Sequence, residues 1–189
     1  MRMEWIVAAV VAALVLYAVI IFNRLIRQRN VVREGWSGID VQLRRRTDLV
    51  PNLVQTVQAY AAHERGLFEE VTKRRAGSIA ASDVGGQAAA ERALAGSLGR
   101  LMAVAEAYPQ LKADKNFLDL QAQLAEIEDQ IQMARRYYNG AVRNLNISIQ
   151  SFPDVLVAHL LGFKEEPFFE LEDRGEAAAP QVAFPGAKS

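Results

Sequence analysis

Residues 117–152 read FLDLQAQLAEIEDQIQMARRYYNGAVRNLNISIQSF, with an apolar or aromatic side chain at alternating intervals of three and four. This 3.5-residue period is typical of a helix that buries one stripe against other helices. Ser148 is the one polar member of the stripe. The pattern predicts a helix from near Asn116 to Ser151. Pro153 ends it, because the residue before a proline avoids helical backbone angles.

The same period is found upstream, between residues 36 and 71, where nine of eleven stripe positions are apolar. The two exceptions are charged, Arg46 and Glu64. The pattern predicts a helix over 30–75, which can be continuous with the segment before it. Pro51 lies inside this helix and has no amide hydrogen to donate. We therefore expect a kink, or a break and restart, within one turn of it.

Two shorter helices complete the predicted fold. Apolar residues repeat by threes and fours over 87–108, and a fourth helix runs over 154–161, with Gly162 placed to end it. Residues 164–189 show no period and are rich in Pro, Gly and Ala, so we expect an extended, partly disordered tail. The fold class is all-α: residues 30–163 form a long antiparallel bundle of three main helices and a short fourth.

Residues 5–23 read WIVAAVVAALVLYAVIIFN, an uncharged and almost wholly apolar run. At ~1.5 Å per residue it matches the ~30 Å hydrocarbon core of a bilayer. No small-residue cleavage site follows, so we expect an uncleaved transmembrane anchor with a basic juxtamembrane segment over residues 1–29. Four arginines flank its C-terminal side: Arg24, Arg27, Arg29 and Arg33. The positive-inside rule predicts a single-pass protein of the bacterial inner membrane, its short N-terminus outside and its helical domain cytoplasmic.

Charge is distributed unevenly along the chain. Residues 1–75 hold 12 basic and 7 acidic side chains, and residues 76–189 hold 10 and 15. The basic half adjoins the predicted membrane, so anionic lipid headgroups are candidate contacts. The basic residues have neither interleaved aromatic residues nor a known binding motif, so no nucleic-acid partner is expected. The chain has no cysteine, which excludes a disulfide framework, a cysteine-ligated zinc site and a thiol nucleophile.

The histidines and the acidic residues do not form a catalytic pattern. His63 lacks the second histidine four residues on that a zinc-protease helix needs. His159 lies among leucines, where a packed, hydrogen-bonded imidazole is expected. The carboxylates of Glu126, Glu128 and Asp129 have no Glu-x-x-His partner of the kind that di-iron helices use, and we expect a solvated face. The sequence therefore predicts no enzymatic activity, no catalytic residue, no metal and no cofactor.

Two glycines lie inside predicted helices, Gly35 and Gly140. Each costs ~1 kcal/mol relative to alanine in a helix. A glycine in such a place can permit the close approach of another backbone.

Two long segments carry a family resemblance. They are NVVREGWSGIDVQLRRRTDLVPNLVQTVQAYAAHE at 30–64 and AYPQLKADKNFLDLQAQLAEIEDQIQMARRYYNGAVRNLNISIQSFP at 107–153. Both strongly resemble signature segments of the LemA family, and Pro180, Val182 and Phe184 resemble its common Pro-x-Val-x-Phe ending. The resemblance implies an inner-membrane-anchored, cytoplasmic helical bundle without catalytic residues. By analogy with a relative that contributes to magnetosome membrane formation in magnetic bacteria, it implies a role in organising membranes.

The predicted function is that of a membrane-anchored scaffold that self-associates and organises the inner membrane or partner proteins. The helix over 30–75 is longer than its neighbour can cover, so its membrane-proximal stripe is expected to be bare and covered by a second copy. The candidate oligomer or packing contacts are Trp36, Ile39, Leu43, Pro180, Val182 and Phe184. The alternatives are a signalling or adaptor module that relays state through the long helix, and a hydrolase with an unrecognised site.

Overall fold

The computed structural model describes residues 2–170, and six helices joined by short loops account for most of them. The helices are α1 (Arg2–Gln58), α2 (Arg65–Ala80), α3 (Val84–Glu106), α4 (Pro109–Lys112), α5 (Lys115–Gln150) and α6 (Asp154–Leu160). The all-α class is confirmed. The helices predicted over 87–108, 116–151 and 154–161 correspond to α3, α5 and α6, and Gly162 ends α6 with a left-handed φ of 70°.

Helix α1 carries both the apolar run and the first half of the upstream stripe without interruption. In the part of the chain that the structure describes, it is the one helix long and apolar enough to cross a membrane. Almost none of its apolar segment is buried by the rest of the chain, unlike a core helix of a soluble bundle. The segment is therefore left free to meet lipid.

The predicted helix over 30–75 is two helices. Helix α1 ends at Gln58, and α2 starts at Arg65 and folds back along α1. The last turn of α1 tightens where the amides of Tyr60 and Ala61 both donate to the carbonyl of Val57. The 3.5-residue period continues across this turn because α2 places its own apolar residues in the same core. The period therefore gives no sign that the chain reverses direction here.

Helix α1 continues through Pro51 without a break. A break and restart was one of the two outcomes expected there, and the other was a kink. Proline cannot donate to the carbonyl of Thr47, four residues before it. Instead the Nε of Arg75, on α2, donates to that carbonyl at 2.6 Å. The neighbouring helix thus supplies the donor that proline removes, and the buried carbonyl is satisfied.

Helices α1 and α5 pack antiparallel along most of the bundle. Gln28 donates to the hydroxyl of Ser148 at 2.9 Å, and 18 residues further on Arg46 pairs with Glu128 at 2.6 Å. Between these two contacts the helices approach closely at Gly35. A Cβ on Gly35 would stand 3.0 Å from the Cα of Tyr138, so this glycine permits a close helix approach, whereas Gly140 faces open space.

The core consists of two apolar clusters stacked along the bundle. The proximal cluster lies next to the apolar run and joins α1 to α5, α6 and the segment after α6. The distal cluster joins the end of α1 to α2, α3, α4 and the start of α5. Because Leu43 belongs to the first cluster and Val50 to the second, the boundary between them crosses α1 at Arg46.

Candidate functional site

The four arginines predicted to flank the membrane divide into two pairs. Arg24 forms an ion pair with Asp154, whose side chain is almost fully buried at the start of α6. The guanidinium of Arg29 lies over the ring of Phe163 at 5.2 Å. Arg27 and Arg33 are exposed and make no ion pair with the residues that the structure describes. Two arginines therefore hold the bundle to α1, and the other two are free to meet headgroups.

The membrane-proximal stripe of α1 is covered within the chain, so the expectation that it is bare is wrong. Ile39 and Leu43 are buried within the chain itself. The indole of Trp36 packs against the rings of Tyr138, at 5.6 Å between centroids, and Phe169, at 5.7 Å. These three stripe residues are packing contacts inside one chain. Pro180, Val182 and Phe184 lie outside the described residues.

What covers Trp36 is the strap, residues 163–170, which returns along α5. Asn146 exchanges a pair of hydrogen bonds with the backbone of Glu166, both at 2.9 Å. Asn139 does the same with the backbone of Phe169, at 3.1 and 2.9 Å. The first part of the predicted tail is therefore extended, as expected, but held at fixed positions on α5.

Tyr138 adds a third contact between α5 and the strap. Its hydroxyl donates to the carbonyl of Pro167 at 2.8 Å. Burial, and then the nearby charge of Glu166, raise the pKa of Tyr138 to about 12, so the phenol remains a donor at physiological pH. The two asparagines are seven residues apart on one face of α5, a spacing that was visible in the sequence but overlooked.

A buried ionic network occupies the boundary between the two apolar clusters. Arg46 and Glu91 are both almost completely buried and form an ion pair. Arg46 also pairs with Glu128 at 2.6 Å, and the Glu91 carboxylate accepts from Ser78 and, at 2.7 Å, from Gln87. Glu128, expected to be solvated, is part of this network. The signal for it was Arg46, a charge at an apolar heptad position.

A surface groove of about 450 Å³ lies beside this network, between α1, the end of α2 and the start of α3. It is lined by Asp40, Arg44, Asp48 and Gln87, among others. Within residues 2–170 no three His, Cys, Asp or Glu side chains lie close enough to hold a metal ion. Ser78, whose hydroxyl donates to the buried Glu91, also lines the groove. The geometry is that of a polar surface between helices.

Among residues 2–170, the two carboxylates with a lowered pKa belong to surface contacts. The hydrogen bond from Arg100 lowers the pKa of Glu70. The backbone amide of Phe117, followed by the Tyr60 hydroxyl, lowers the pKa of Asp114, which caps the start of α5. Both shifts favour the charged carboxylate, as capping and ion pairing do. A carboxyl group acts best as a general acid near neutral pH when its pKa is shifted in the opposite direction.

Neither histidine belongs to the ionic network or lines the groove beside it. His63 is exposed in the loop between α1 and α2. His159 was expected to be packed and hydrogen-bonded, but its side chain is exposed on α6 and makes no hydrogen bond with the described residues. Helix α6 turns its other face to the bundle, where Ala158 is fully buried.

These features define a class of protein: an all-helical bundle built directly onto a helix suited to span a membrane. Its buried ion pairs join helices to one another. A protein-family model described as LemA family matches residues 35–184. That is most of the chain, and the chain belongs to the LemA family.

Several curated relatives share this similarity. Magnetosome protein MamQ 2 of Paramagnetospirillum magneticum is 27% identical over 181 residues, which cover 82% of this chain and 66% of the relative. Magnetosome protein MamQ of Magnetospirillum gryphiswaldense is 25% identical over 189 residues, covering 85% and 70%. Protein LemA of Metamycoplasma hominis is 26% identical over 153 residues, covering 80% and 69%. The chain thus spans about two thirds of the length of the relatives it matches.

Proposed function

We propose that this protein is a membrane-anchored, non-enzymatic scaffold of the inner membrane, which self-associates to organise the membrane or partner proteins. The observation that carries the proposal is the continuity of α1. One helix forms both the apolar run and the spine of the bundle, so the position of the bundle is tied to the bilayer. The basic flank of that helix supports a cytoplasmic location for the bundle.

The contacts in the bundle support a structural role. Buried charged side chains pair across helices, Arg46 of α1 with Glu91 of α3 and Asp154 of α6 with Arg24 of α1, and this supports a rigid body. Three relatives are named as magnetosome proteins, which supports a part in a cellular structure. The anionic surface of a cytoplasmic leaflet would attract the exposed Arg27 and Arg33, each worth ~1 kcal/mol near the surface.

Self-association is proposed through the membrane segment, since the stripe of the bundle is covered. Ala8, Ala9, Ala12 and Ala13 lie on one side of the apolar run, and all are exposed. Small residues let helix backbones approach closely in lipid. Confinement to one membrane raises the effective concentration of copies.

Mass measurement in native-like lipid particles tests the scaffold. We expect multiples of the 20.9 kDa chain mass. A9L/A13L should shift the population towards single copies by filling the close-approach face. The matched control is V7L/V11L, on the opposite side of the same helix, which should leave the distribution unchanged. A single-copy mass for the unaltered chain over a range of densities would refute self-association.

An adaptor is the second candidate, and the uninterrupted helix α1 favours it. A helix that runs without a break from the apolar run to Gln58 joins the membrane to the distal cluster, about 50 Å away at 1.5 Å per residue. A change in tilt or rotation of the span would reach that cluster as a rigid-body movement. Co-purification of a different protein at fixed stoichiometry, lost on substitution of distal surface residues, would favour this candidate over the scaffold.

A further inference from the structure

Helix α6 exposes an apolar stripe beside the end of the apolar run. Phe152, Leu156 and Leu160 follow one another at intervals of four, and Leu161 adjoins them. Their exposed fractions are 81%, 62%, 83% and 51%. Side chains of this size are seldom so exposed in a contiguous group on a surface that faces water.

The position of α6 along α1 shows what this stripe faces. Asp154 pairs with Arg24, the first residue after the run, and the ring of Phe163 meets that of Phe22 edge to face at 6.1 Å. Ile21, inside the run, is only 3% exposed, because the bundle covers it. A run of this length needs all its residues to cross the ~30 Å hydrocarbon core. The part of the bundle that covers Ile21 therefore reaches the edge of that core.

From this geometry we propose that α6 is a second membrane contact: its stripe inserts into the headgroup and acyl-chain boundary of the leaflet that the bundle faces. The inference rests on the proposed membrane anchoring and deepens it. The occupant of the stripe is lipid, because Phe163, three residues after Leu160, contacts Phe22 inside the run, which places the stripe at the level where the run meets the bilayer. Interfacial helices bury their apolar face roughly 5–10 Å into this boundary.

The positions of the charged residues around the stripe are consistent with insertion to this depth. Asp154, the one carboxylate in α6, is buried and paired with Arg24 instead of facing outward. The next charged side chains, Lys164 and Glu165, follow the stripe and are exposed, where water or headgroups reach them. A single span can tilt and rotate freely, and interfacial anchors limit both. With α6 inserted beside α1, the bundle is held at a fixed angle to the bilayer.

Depth-dependent fluorescence quenching in the full chain tests the proposal. The chain has no cysteine, so a single cysteine can carry the probe. Probes at L156C and L160C, in vesicles with bromine at a shallow acyl position, should be quenched at least about twofold more than one at L118C. Leu118 is exposed too, but lies near the opposite end of α5, ~48 Å from its end at Gln150.

A probe at L14C, in the middle of the apolar run, separates the two proposals. If the L14C probe is quenched by deep bromine while L156C and L160C behave like L118C, the proposed membrane contact of α6 is wrong but the proposed membrane anchor is supported. If L14C is not quenched, the anchoring itself is wrong. A blue-shifted but unquenched probe at L160C would mean that another protein surface covers the stripe, and it also overturns the proposal.

A substitution pair gives a second test. L156Q/L160Q, combined with a probe at F152C, should remove at least half of the shallow quenching, because the stripe loses its apolar area. All three side chains are exposed, so the bundle should keep its fold. The control I79Q changes an exposed residue at the end of α2, 58% exposed against 62% for Leu156, and should leave the F152C signal unchanged. Equal quenching in both backgrounds would contradict insertion of the stripe.

Discussion

Replacement of Arg75 by methionine should destabilise the bundle by about 1–3 kcal/mol, the range for a buried polar group left without a partner. The Nε of Arg75 donates at 2.6 Å to the carbonyl of Thr47, which lies on a buried part of α1. Pro51 cannot supply the usual helical donor to that carbonyl. Methionine keeps much of the apolar stem of arginine but has no donor, so the loss reports mainly the orphaned carbonyl.

A second substitution, P51A, should offset the loss of stability caused by R75M, which makes the prediction specific to the Thr47 carbonyl. P51A restores an amide that can donate to the Thr47 carbonyl from within α1, and the side chain of Pro51 is exposed, so little packing is lost. In the P51A background, R75M should therefore be milder than in the natural chain. The difference is the coupling free energy, expected at about 0.5–3 kcal/mol for groups that share a partner.

The measurement is thermal unfolding of the full chain in mild detergent, followed by far-ultraviolet circular dichroism. For a chain of this length, each kcal/mol shifts the Tm by about 2–4 °C. R74M is the control, since Arg74 makes only a partly exposed pair with Glu70 at 3.7 Å and should cost under ~1 kcal/mol. An equal loss of Tm from R75M in both backgrounds would refute the proposed compensation.

Three further predictions follow from other contacts. Protease added to intact spheroplasts should spare the bundle and digest it only after lysis, since the basic flank predicts a cytoplasmic bundle; digestion before lysis would reverse the orientation. G140A should raise stability by about 0.5–1 kcal/mol in unfolding measurements, whereas G35A should not, because its Cβ would meet Tyr138 backbone at 3.0 Å. Asp114 has a lowered pKa, so its stabilisation is present above its ordinary pKa, near 4, and is lost as pH falls through the lowered value. D114N should flatten that acid-side loss in a Tm series against pH, and an unchanged series would show that the cap does not contribute.

The apolar period predicted which segments are helical but not where one helix ends. The stripe between residues 36 and 71 continues through a reversal of the chain, since α1 and α2 both place apolar residues in the distal cluster. A period records which side chains are buried and not which elements bury them. The kink or break expected at Pro51 followed from its missing amide donor. The replacement donor, Arg75, comes from another helix, and sequence spacing carries no information about that contact.

The strap and the ionic network were missed for a different reason. Composition placed residues 164–189 in the tail, yet Asn139 and Asn146 hold the backbone of the strap through paired hydrogen bonds. Two amide side chains on a helix are common on solvated faces, and only the fold shows that an extended segment returns there. Arg46 was noted as an exception to the stripe, but its partner Glu91 lies in a helix whose register cannot be derived from α1.

Register between α1 and α5 decides where α6 meets the bilayer. A heptad stripe accepts a slip of seven residues, because apolar side chains again face one another. Such a slip moves the end of α5 by ~10.5 Å along α1. This distance equals the full depth to which an interfacial helix inserts into the bilayer. It would also bring Arg135 or Gln121 to the place of Glu128 opposite Arg46. Arg46 would keep its buried pair with Glu91 but lose Glu128, so its guanidinium would face one carboxylate instead of two. The charged residue that interrupts the stripe therefore penalises the slip, and so sets the depth at which the leucines of α6 face lipid.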